Sequence, residues 1–276
     1  MAFPFSTKRG RTALPPHAGS RALPGDVEQD DEGGKMSFLD HLDELRRRLV
    51  ASALSLAVGA GVAFAFIDRI FEFIMRPLYE KLPAGSKLTY IEPTEAFMLY
   101  VKIGLLAGLV IAAPLIMWQL WLFIAPGLYA HEKRFALPFI LLSTLCFVGG
   151  AAFSHYVVFP FTWVFLASFS TDYMMFTPRI EAVFSLYAMM LVVMGVIFEM
   201  PPVVLALARM GLVTAGFLWR HIKYAILIIF VAAAVLTPTG DPYTQTLLAG
   251  PMVGLYILSI GLAWLVGKRK KPSEPE

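Results

Sequence analysis

The chain contains six long apolar runs separated by polar segments. A helix needs about 20 apolar residues to cross a hydrocarbon core about 30 Å thick, and four of the runs clearly reach that length. The pattern predicts an all-α integral membrane protein with six transmembrane helices. The predicted spans cover residues 49–67, 97–124, 135–161, 184–207, 222–236 and 247–266.

The fifth run, residues 222–236, is the shortest and carries Lys223 near its start. Read alone, this segment also fits a re-entrant segment, which would leave an odd number of spans. The basic C-terminal segment Lys268-Arg269-Lys270-Lys271 would then lie on the outer side. That placement contradicts the positive-inside rule, so the pattern favours six full spans.

Prolines lie in or beside several of the predicted spans. Proline removes a backbone hydrogen bond and bends a helix at that point. We therefore expect tilted and kinked helices that form a concave wall instead of a straight bundle. The pattern Gly104-x-x-x-Gly108 permits close contact with a neighbouring helix. The prolines concerned are Pro114, Pro138, Pro160, Pro201 and Pro202.

The two ends of the chain differ in composition from its apolar middle. Residues 1–35 are rich in Pro, Gly and charged residues and have no apolar periodicity, which is typical of a disordered tail. Residues 268–276 form a short basic tail. Residues 36–267 are therefore the predicted six-span membrane domain.

Two amphipathic segments precede spans. Phe38, Leu42, Leu45 and Leu49 recur at helical spacing, which predicts a helix that lies on the inner membrane surface and continues into the first span. Residues 69–79 show the same spacing in the long first outer loop. We expect this second helix to rest on the outer membrane surface.

Composition supports the membrane class. Of 276 residues, 58% are hydrophobic and only 16% are charged, and the mean hydropathy is +0.67. A soluble domain of this size does not need so much apolar surface. Cys146 is the single cysteine of the chain, which excludes a disulfide framework and a cysteine-built metal site. No spacing of His, Cys, Asp and Glu indicates a metal, and no cofactor is expected.

Loop charge predicts the orientation of the spans. With the N-terminus inside, the inner segments carry 17 Lys and Arg residues and the outer loops carry five. Cytoplasmic loops of membrane proteins are enriched in Lys and Arg. The distribution therefore predicts that both termini lie on the cytosolic side.

Two acidic residues stand beside span ends where the positive-inside bias gives no reason for negative charge: Glu44 and Glu132. For Glu44 the simplest interpretation is a pair with Arg48 one helical turn away, which contributes about 0.2–0.5 kcal/mol. If both acids lie on one membrane face, they instead form two fixed carboxylates that can bind guanidinium groups.

The motifs around these acids resemble the TatC family. His-Leu-x-Glu-Leu-Arg-x-Arg-Leu (41–49) precedes the first span, and Phe-Ile-Ala-Pro-x-Leu-Tyr-x-His-Glu-x-Arg (123–134) follows the second. Phe-Glu-x-Pro (198–201), Leu-Thr-Pro (236–238) and Asp-x-x-x-Gln-Thr-Leu-Leu-Ala-x-Pro (241–251) occur in the expected order. The resemblance extends from about residue 36 to residue 266.

The resemblance implies the membrane receptor of the twin-arginine translocation system, which exports folded proteins across the bacterial inner membrane. In that family the glutamates that match Glu44 and Glu132 are associated with recognition of the paired arginines of the signal peptide. Arg46, Phe123 and Leu128 would belong to the same surface. The implied partners are the single-span proteins TatA and TatB, further copies in a larger complex and the lipid bilayer, with no nucleic acid.

Arginine–carboxylate chemistry agrees with this implication. Arginine presents a planar fork of donors that pairs with both oxygens of a carboxylate, whereas lysine is a point charge. Charge-assisted hydrogen bonds contribute about 1.5–3 kcal/mol each. Two separated carboxylates can therefore discriminate against peptides in which lysine replaces arginine.

Glu199 is a third notable acid, because it lies well inside the fourth predicted span. A carboxylate at that depth is costly unless it is neutral, paired or in contact with water. A neutral carboxyl bonded to a neighbouring helix is the structural interpretation. In the family the matching glutamate faces a hydrated intramembrane pocket, so we predict a role in coupling or in docking a polar residue of a partner helix.

Three polar residues lie where the fifth and sixth spans meet the outer surface: Thr237, Thr244 and Gln245. The resemblance suggests that this patch helps bind the single-span partners. Polar contacts between membrane helices contribute only about 0.6–2 kcal/mol each, which suits a regulated partner.

A proton-coupled carrier of small solutes, with Glu199 as the proton site, is the alternative function. Such carriers are built from internal repeats with paired broken helices, and no convincing repeat is present. An enzyme is not expected, because no constellation of nucleophile and base is present. Energy for transport would then come from the membrane gradient or from partner proteins.

Overall fold

The computed structural model describes residues 38–80, 88–124, 136–170, 177–237 and 241–266. These residues are helical apart from short connections and one isolated β-bridge. The described residues from Leu42 onward belong to one compact unit, and the described part of the other unit is the first turn of helix α1. The helices are α1 (Phe38–Ala65), α2 (Ile67–Tyr79), α3 (Pro93–Ile124), α4 (Ala136–Phe153), a π-helical segment (Ser154–Val158), α5 (Phe159–Ala167), α6 (Ile180–Ile197), α7 (Met200–Arg209), α8 (Ala215–Arg220), α9 (Ile222–Leu236) and α10 (Pro242–Val266).

Within the described residues, five helical stretches are long and apolar enough to cross a membrane, and α9 is a shorter sixth. The first three long stretches are α1, α3 and the continuous run from α4 to α5. The other two are the run from α6 to α7, and α10. These findings confirm the all-α, multi-span class.

Helix α9 has only 15 residues. At a rise of 1.5 Å per residue it is about 22 Å long, less than the thickness of a hydrocarbon core. A span this short is accommodated by local thinning of the bilayer or by its neighbours. It packs against α10, which also packs against α7.

Several spans differ from the predicted boundaries because helices continue past the apolar runs that identify them. The helix of the first span starts at Phe38, so the predicted surface helix and the span are one element. This helix ends at Ala65, not at residue 67, because the chain turns at Phe66 into α2. Helix α2 confirms the amphipathic helix predicted in the first outer loop, and it buries Ile74, Met75 and Leu78.

Two of the predicted proline positions coincide with departures from α-helical geometry. Pro160 cannot donate to the carbonyl of Tyr156, and the π-helical segment lies directly before it. Pro201 and Pro202 lie in the first turn of α7, which begins at Met200, and the chain forms a turn at Phe198 and Glu199. The first of these departures positions His155, and the second positions Glu199. Pro114 lies inside α3 without ending the helix.

Helices α1 and α3 approach each other closely at glycines. A methyl group at Gly59 would lie 2.5 Å from the carbonyl oxygen of Gly108. One at Gly108 would lie 2.5 Å from the backbone nitrogen of Ala60. The close contact predicted from Gly104-x-x-x-Gly108 is confirmed, and it leaves no room for a side chain at Gly59 or Gly108.

Three contacts join α3 and the segment before it to α6 and the segment that leads into it. The backbone of Thr89 pairs with that of Arg179 in a parallel bridge. Arg179 also forms an ion pair with the buried carboxylate of Glu95. Lys102 and Glu181 form a second pair at 2.8 Å. Ion pairs therefore stabilise the association of the N-terminal parts of α3 and α6, in addition to packing.

The largest buried side chains include Trp163, Phe159 and Phe184. They belong to one hydrophobic cluster that also contains residues of α2, α3 and α6. Many large apolar side chains elsewhere are exposed, among them Val235 at 77% and Trp264 at 75%. Soluble proteins do not expose apolar surface on this scale. The exposed apolar surface is consistent with contact with lipid.

Candidate functional site

Glu44 lies on α1 and is largely covered, with 16% of its side chain exposed. Its Oε1 accepts a hydrogen bond from Arg48 Nη2 at 3.2 Å, as expected for residues one turn apart. Its Oε2 is buried, and no described residue donates to it. The Glu44 carboxylate therefore already holds one guanidinium and retains an oxygen that can accept a further donor.

Arg48 also reaches a second helix. Its Nη1 donates to Gln119 Oε1 of α3 at 3.1 Å. The guanidinium thus links Glu44 on α1 to the C-terminal part of α3. Phe123 lies one turn beyond Gln119 on the same helix and is partly buried. Arg48 and Gln119 therefore connect the helix of Glu44 to the helix of Phe123.

The remaining residues of the predicted recognition surface have different outcomes. Arg46 is exposed on α1. Glu132 and Leu128 lie in residues 125–135, outside the described residues. The pairing of the two glutamates therefore stays a prediction. Gln119 was not predicted, because an amide inside an apolar run gives no signal of its partner.

Glu199 lies at the turn between α6 and α7, where Pro201 and Pro202 cannot donate backbone hydrogen bonds. Its Oε2 accepts a hydrogen bond from Ser143 Oγ of α4. Its Oε1 is buried and accepts no hydrogen bond from the described residues. The carboxyl is therefore bonded on one side only.

Ser143 is fully buried and also accepts a hydrogen bond from Trp121 Nε1 of α3 at 2.8 Å. Trp121 is 4% exposed and packs against Phe139. The bond to Ser143 satisfies its buried indole N–H. Trp121, Ser143 and Glu199 thus form one chain of hydrogen bonds across α3, α4 and the α6–α7 turn.

We expect Ser143→Ala to lower the free energy of unfolding by about 1–3 kcal/mol, because the Trp121 indole and the Glu199 carboxyl both lose their partner. Thr144→Val is the matched control, since the Thr144 hydroxyl is buried without a partner among the described residues. Thermal unfolding in detergent measures both. Equal shifts for the two variants would show that the Ser143 bonds do not stabilise the protein.

The three residues of the polar patch lie at the junction of α9 and α10. Gln245 Nε2 donates to the Phe230 carbonyl of α9 at 2.9 Å, and its side chain is partly exposed. Thr237 bonds to the Ala233 carbonyl and is buried. Thr244 is fully buried, and no described residue bonds to its hydroxyl. Gln245 is therefore the accessible member of the patch.

Comparison with known proteins identifies the family. Residues 40–251 match the family model described as Sec-independent protein translocase protein (TatC). The TatC protein of Koribacter versatilis is 43% identical over 246 residues, covering 87% of this chain and 90% of that protein. The TatC protein of Desulforapulum autotrophicum is 40% identical, covering 89% of this chain and 90% of that protein.

A solved structure agrees with the sequence relatives. The crystal structure of the twin-arginine translocase receptor TatC superposes with a TM-score of 0.72 at 38% identity. The match covers 82% of this chain and 99% of that chain. Fold, sequence and the order of the motifs agree, and the chain belongs to the TatC family of Sec-independent protein translocase proteins.

Proposed function

We propose that this protein binds the twin-arginine signal peptides of folded proteins at the cytosolic membrane face and, with single-span partners, exports those proteins. The carrying observation is the Glu44 carboxylate, which already binds a guanidinium and keeps its second oxygen unbonded within the described residues. A carboxylate that accepts a guanidinium donor from its own helix can exchange that donor for an arginine of the peptide.

Recognition starts with exchange at Glu44. The fork of a signal-peptide arginine displaces Arg48 from Glu44 and leaves Arg48 bonded to Gln119. Glu132, which follows the end of α3 by eight residues, supplies the carboxylate for the second arginine. Arg46, Phe123 and Leu128 complete the surface, with the aromatic and aliphatic groups covering apolar side chains of the peptide.

Glu199 acts after capture. One of its oxygens remains unbonded within the described structure, so it can accept a hydrogen bond from a polar residue of a partner helix or of the inserted peptide. Ser143 and Trp121 hold the carboxyl in place for that contact. Trp121 lies on α3 two residues before Phe123. A movement of α3 when the peptide binds would therefore shift Trp121 and alter the hydrogen bonds that hold Glu199.

The partners proposed are TatA and TatB, and further copies of the chain in a larger complex. Gln245 presents its partly exposed amide, while Thr237 and Thr244 support the junction from inside. We propose that the protein lies in the bacterial inner membrane with both termini in the cytosol. The excess of Lys and Arg in the segments assigned to the inner side supports this orientation.

Peptide binding and export together test the function. The purified protein should bind a labelled signal peptide with two arginines, and the same peptide with two lysines should bind at least tenfold more weakly. In a bacterium lacking its own TatC protein, the chain should restore export of a folded twin-arginine cargo. Equal binding of both peptides would contradict the proposal. So would uptake of a small solute by the protein alone without any effect on cargo export.

Gln245→Leu is expected to reduce co-purification of the single-span partners several-fold, because a polar contact between membrane helices contributes about 0.6–2 kcal/mol. Thr246→Val is the control, since the Thr246 hydroxyl is exposed on the next residue and bonds only within α10. Recovery of tagged partners from mild detergent measures the effect. Unchanged recovery with Gln245→Leu would remove this residue from the partner site.

A further inference from the structure

An apolar cavity of about 370 Å³ lies between α2, α3, the α4–π-helical run and α6. Its volume falls near the lower end of ligand pockets, which measure about 300–1,000 Å³. Except for His155 and two tyrosines, its lining is aliphatic or phenylalanine. The residues used below are Phe73, Ala107, Ile111, Ala152, His155 and Tyr156. Neither Glu44 nor Glu199 lines it, so it is distinct from the sites described above.

The cavity opens on an exposed, largely apolar surface of the helices. Phe73, Ile111 and Tyr156 line it and are 50%, 45% and 65% exposed. An apolar cavity of this kind does not hold water. A transmembrane helix, about 10–12 Å across, is too wide for it. An alkyl chain from the surrounding bilayer fits its size, its lining and its opening.

A second, charged cavity of about 410 Å³ adjoins the first beside the C-terminal half of α2. Phe73, His155 and Tyr156 line both cavities, so they form the boundary between the apolar part and the charged part. The charged part is lined by Arg76 and Glu80. These two side chains form a pair at 3.0 Å and are 76% and 59% exposed.

The boundary is built by the π-helical segment. This segment turns His155 inward, where its Nδ1 lies 3.1 Å from the Tyr187 hydroxyl. The His155 ring stacks on Phe73 with ring centroids 4.4 Å apart. Such π-helical turns occur frequently at functional sites. Here the irregular backbone places a polar ring at the boundary between the apolar and the charged cavity.

The charges at the mouth match a zwitterionic headgroup. A phosphate accepts the forked donors of arginine, and a primary ammonium donates to a carboxylate. Arg76 and Glu80 are adjacent, so one molecule with both groups can bond to both side chains. A purely anionic headgroup would pair with Arg76 and place its negative charge against Glu80.

We propose that these joined cavities bind one phospholipid with a phosphoethanolamine headgroup. One acyl chain fills the apolar cavity, the phosphate bonds to Arg76 and the ammonium bonds to Glu80. The bound lipid fills the space between α2 and the spans beside it. This site is independent of signal-peptide recognition, so its failure leaves the proposed function untouched.

Native mass spectrometry of the delipidated full chain tests the site. The protein is offered phosphatidylethanolamine and phosphatidylglycerol with identical acyl chains in equal amounts. One phosphatidylethanolamine should remain bound per chain, in preference to phosphatidylglycerol. Arg76→Gln should reduce its retention about tenfold or more, because charge-assisted hydrogen bonds to the phosphate are lost. Arg69→Gln, an exposed arginine of the same helix outside both cavities, should leave retention unchanged.

Variants that fill the apolar cavity test whether it holds an acyl chain. Ala107→Phe and, as a second variant, Ala152→Phe should each abolish retention, whereas Ala57→Phe places the same ring on an exposed part of α1 and should not. Glu80→Gln should remove the preference for phosphatidylethanolamine. Retention that survives both filled variants, or equal retention of the two lipids by the native chain, would overturn the proposal. Stoichiometric displacement of the lipid by a twin-arginine peptide would assign the cavity to the peptide instead.

Discussion

Replacing Glu44 with glutamine is expected to weaken binding of a twin-arginine signal peptide by about 10- to 150-fold. This range follows from the loss of one charge-assisted interaction of about 1.5–3 kcal/mol. Glutamine keeps the size of the side chain but cannot supply two acceptor oxygens and a negative charge. Fluorescence anisotropy of a labelled peptide with the purified protein measures the change.

Asp43→Asn is the matched control for Glu44. It removes the same charge one residue away, from an exposed side chain, and should change the affinity less than about twofold, since exposed charges interact weakly. Glu132→Gln should resemble Glu44→Gln with the two-arginine peptide. A peptide with one arginine should respond to only one of the two variants. Unchanged affinity with Glu44→Gln would remove the recognition role of this residue.

The second large effect is expected at the crossing of α1 and α3. Gly108→Ala should lower the free energy of unfolding by about 1–3 kcal/mol or more, the range found when a packed interior is overfilled. The added methyl group would lie 2.5 Å from the backbone nitrogen and 2.6 Å from the Cα of Ala60. Backbone atoms cannot rotate away, so α1 and α3 must separate.

Two other glycines make the Gly108 experiment specific. Gly104→Ala meets only the ring of Phe64, at 2.6–2.9 Å, and that side chain can shift. Gly61→Ala meets nothing within 4 Å and should stabilise the helix by roughly 0.5–1 kcal/mol. Thermal unfolding in detergent should therefore order the variants Gly61→Ala, Gly104→Ala and Gly108→Ala by decreasing stability. A Gly108→Ala protein as stable as Gly61→Ala would contradict the close approach.

The contacts of the candidate site fall into two groups: those between residues close in the sequence and those between residues far apart in it. The Glu44–Arg48 pair could be predicted, because residues four apart on one helix lie on the same face. The bond from Arg48 to Gln119 joins residues 71 positions apart, and no local pattern indicates it. The bond from Ser143 to Glu199 spans 56 positions. Glu199 could be predicted as a notable residue because it is an acid inside an apolar run. Ser143 could not, because membrane helices commonly carry small polar residues.

The sequence by itself determined the all-α, multi-span class, the order of the apolar helices and the family. The sequence predicts these features because a bilayer forces any sufficiently long apolar run to satisfy its backbone hydrogen bonds as a helix. Proline positions also indicated two of the irregular points, before Pro160 and before Pro201.

Only the tertiary structure decided which side chains meet. Helices such as α4 are apolar on all sides, so their periodicity does not reveal which face packs against a neighbour or at what depth. The partnership of Trp121, Ser143 and Glu199 depends on that rotation and depth, as does the cavity beside His155. In an apolar medium a buried polar group must find its partner on another helix, and packing alone sets which partner is within reach.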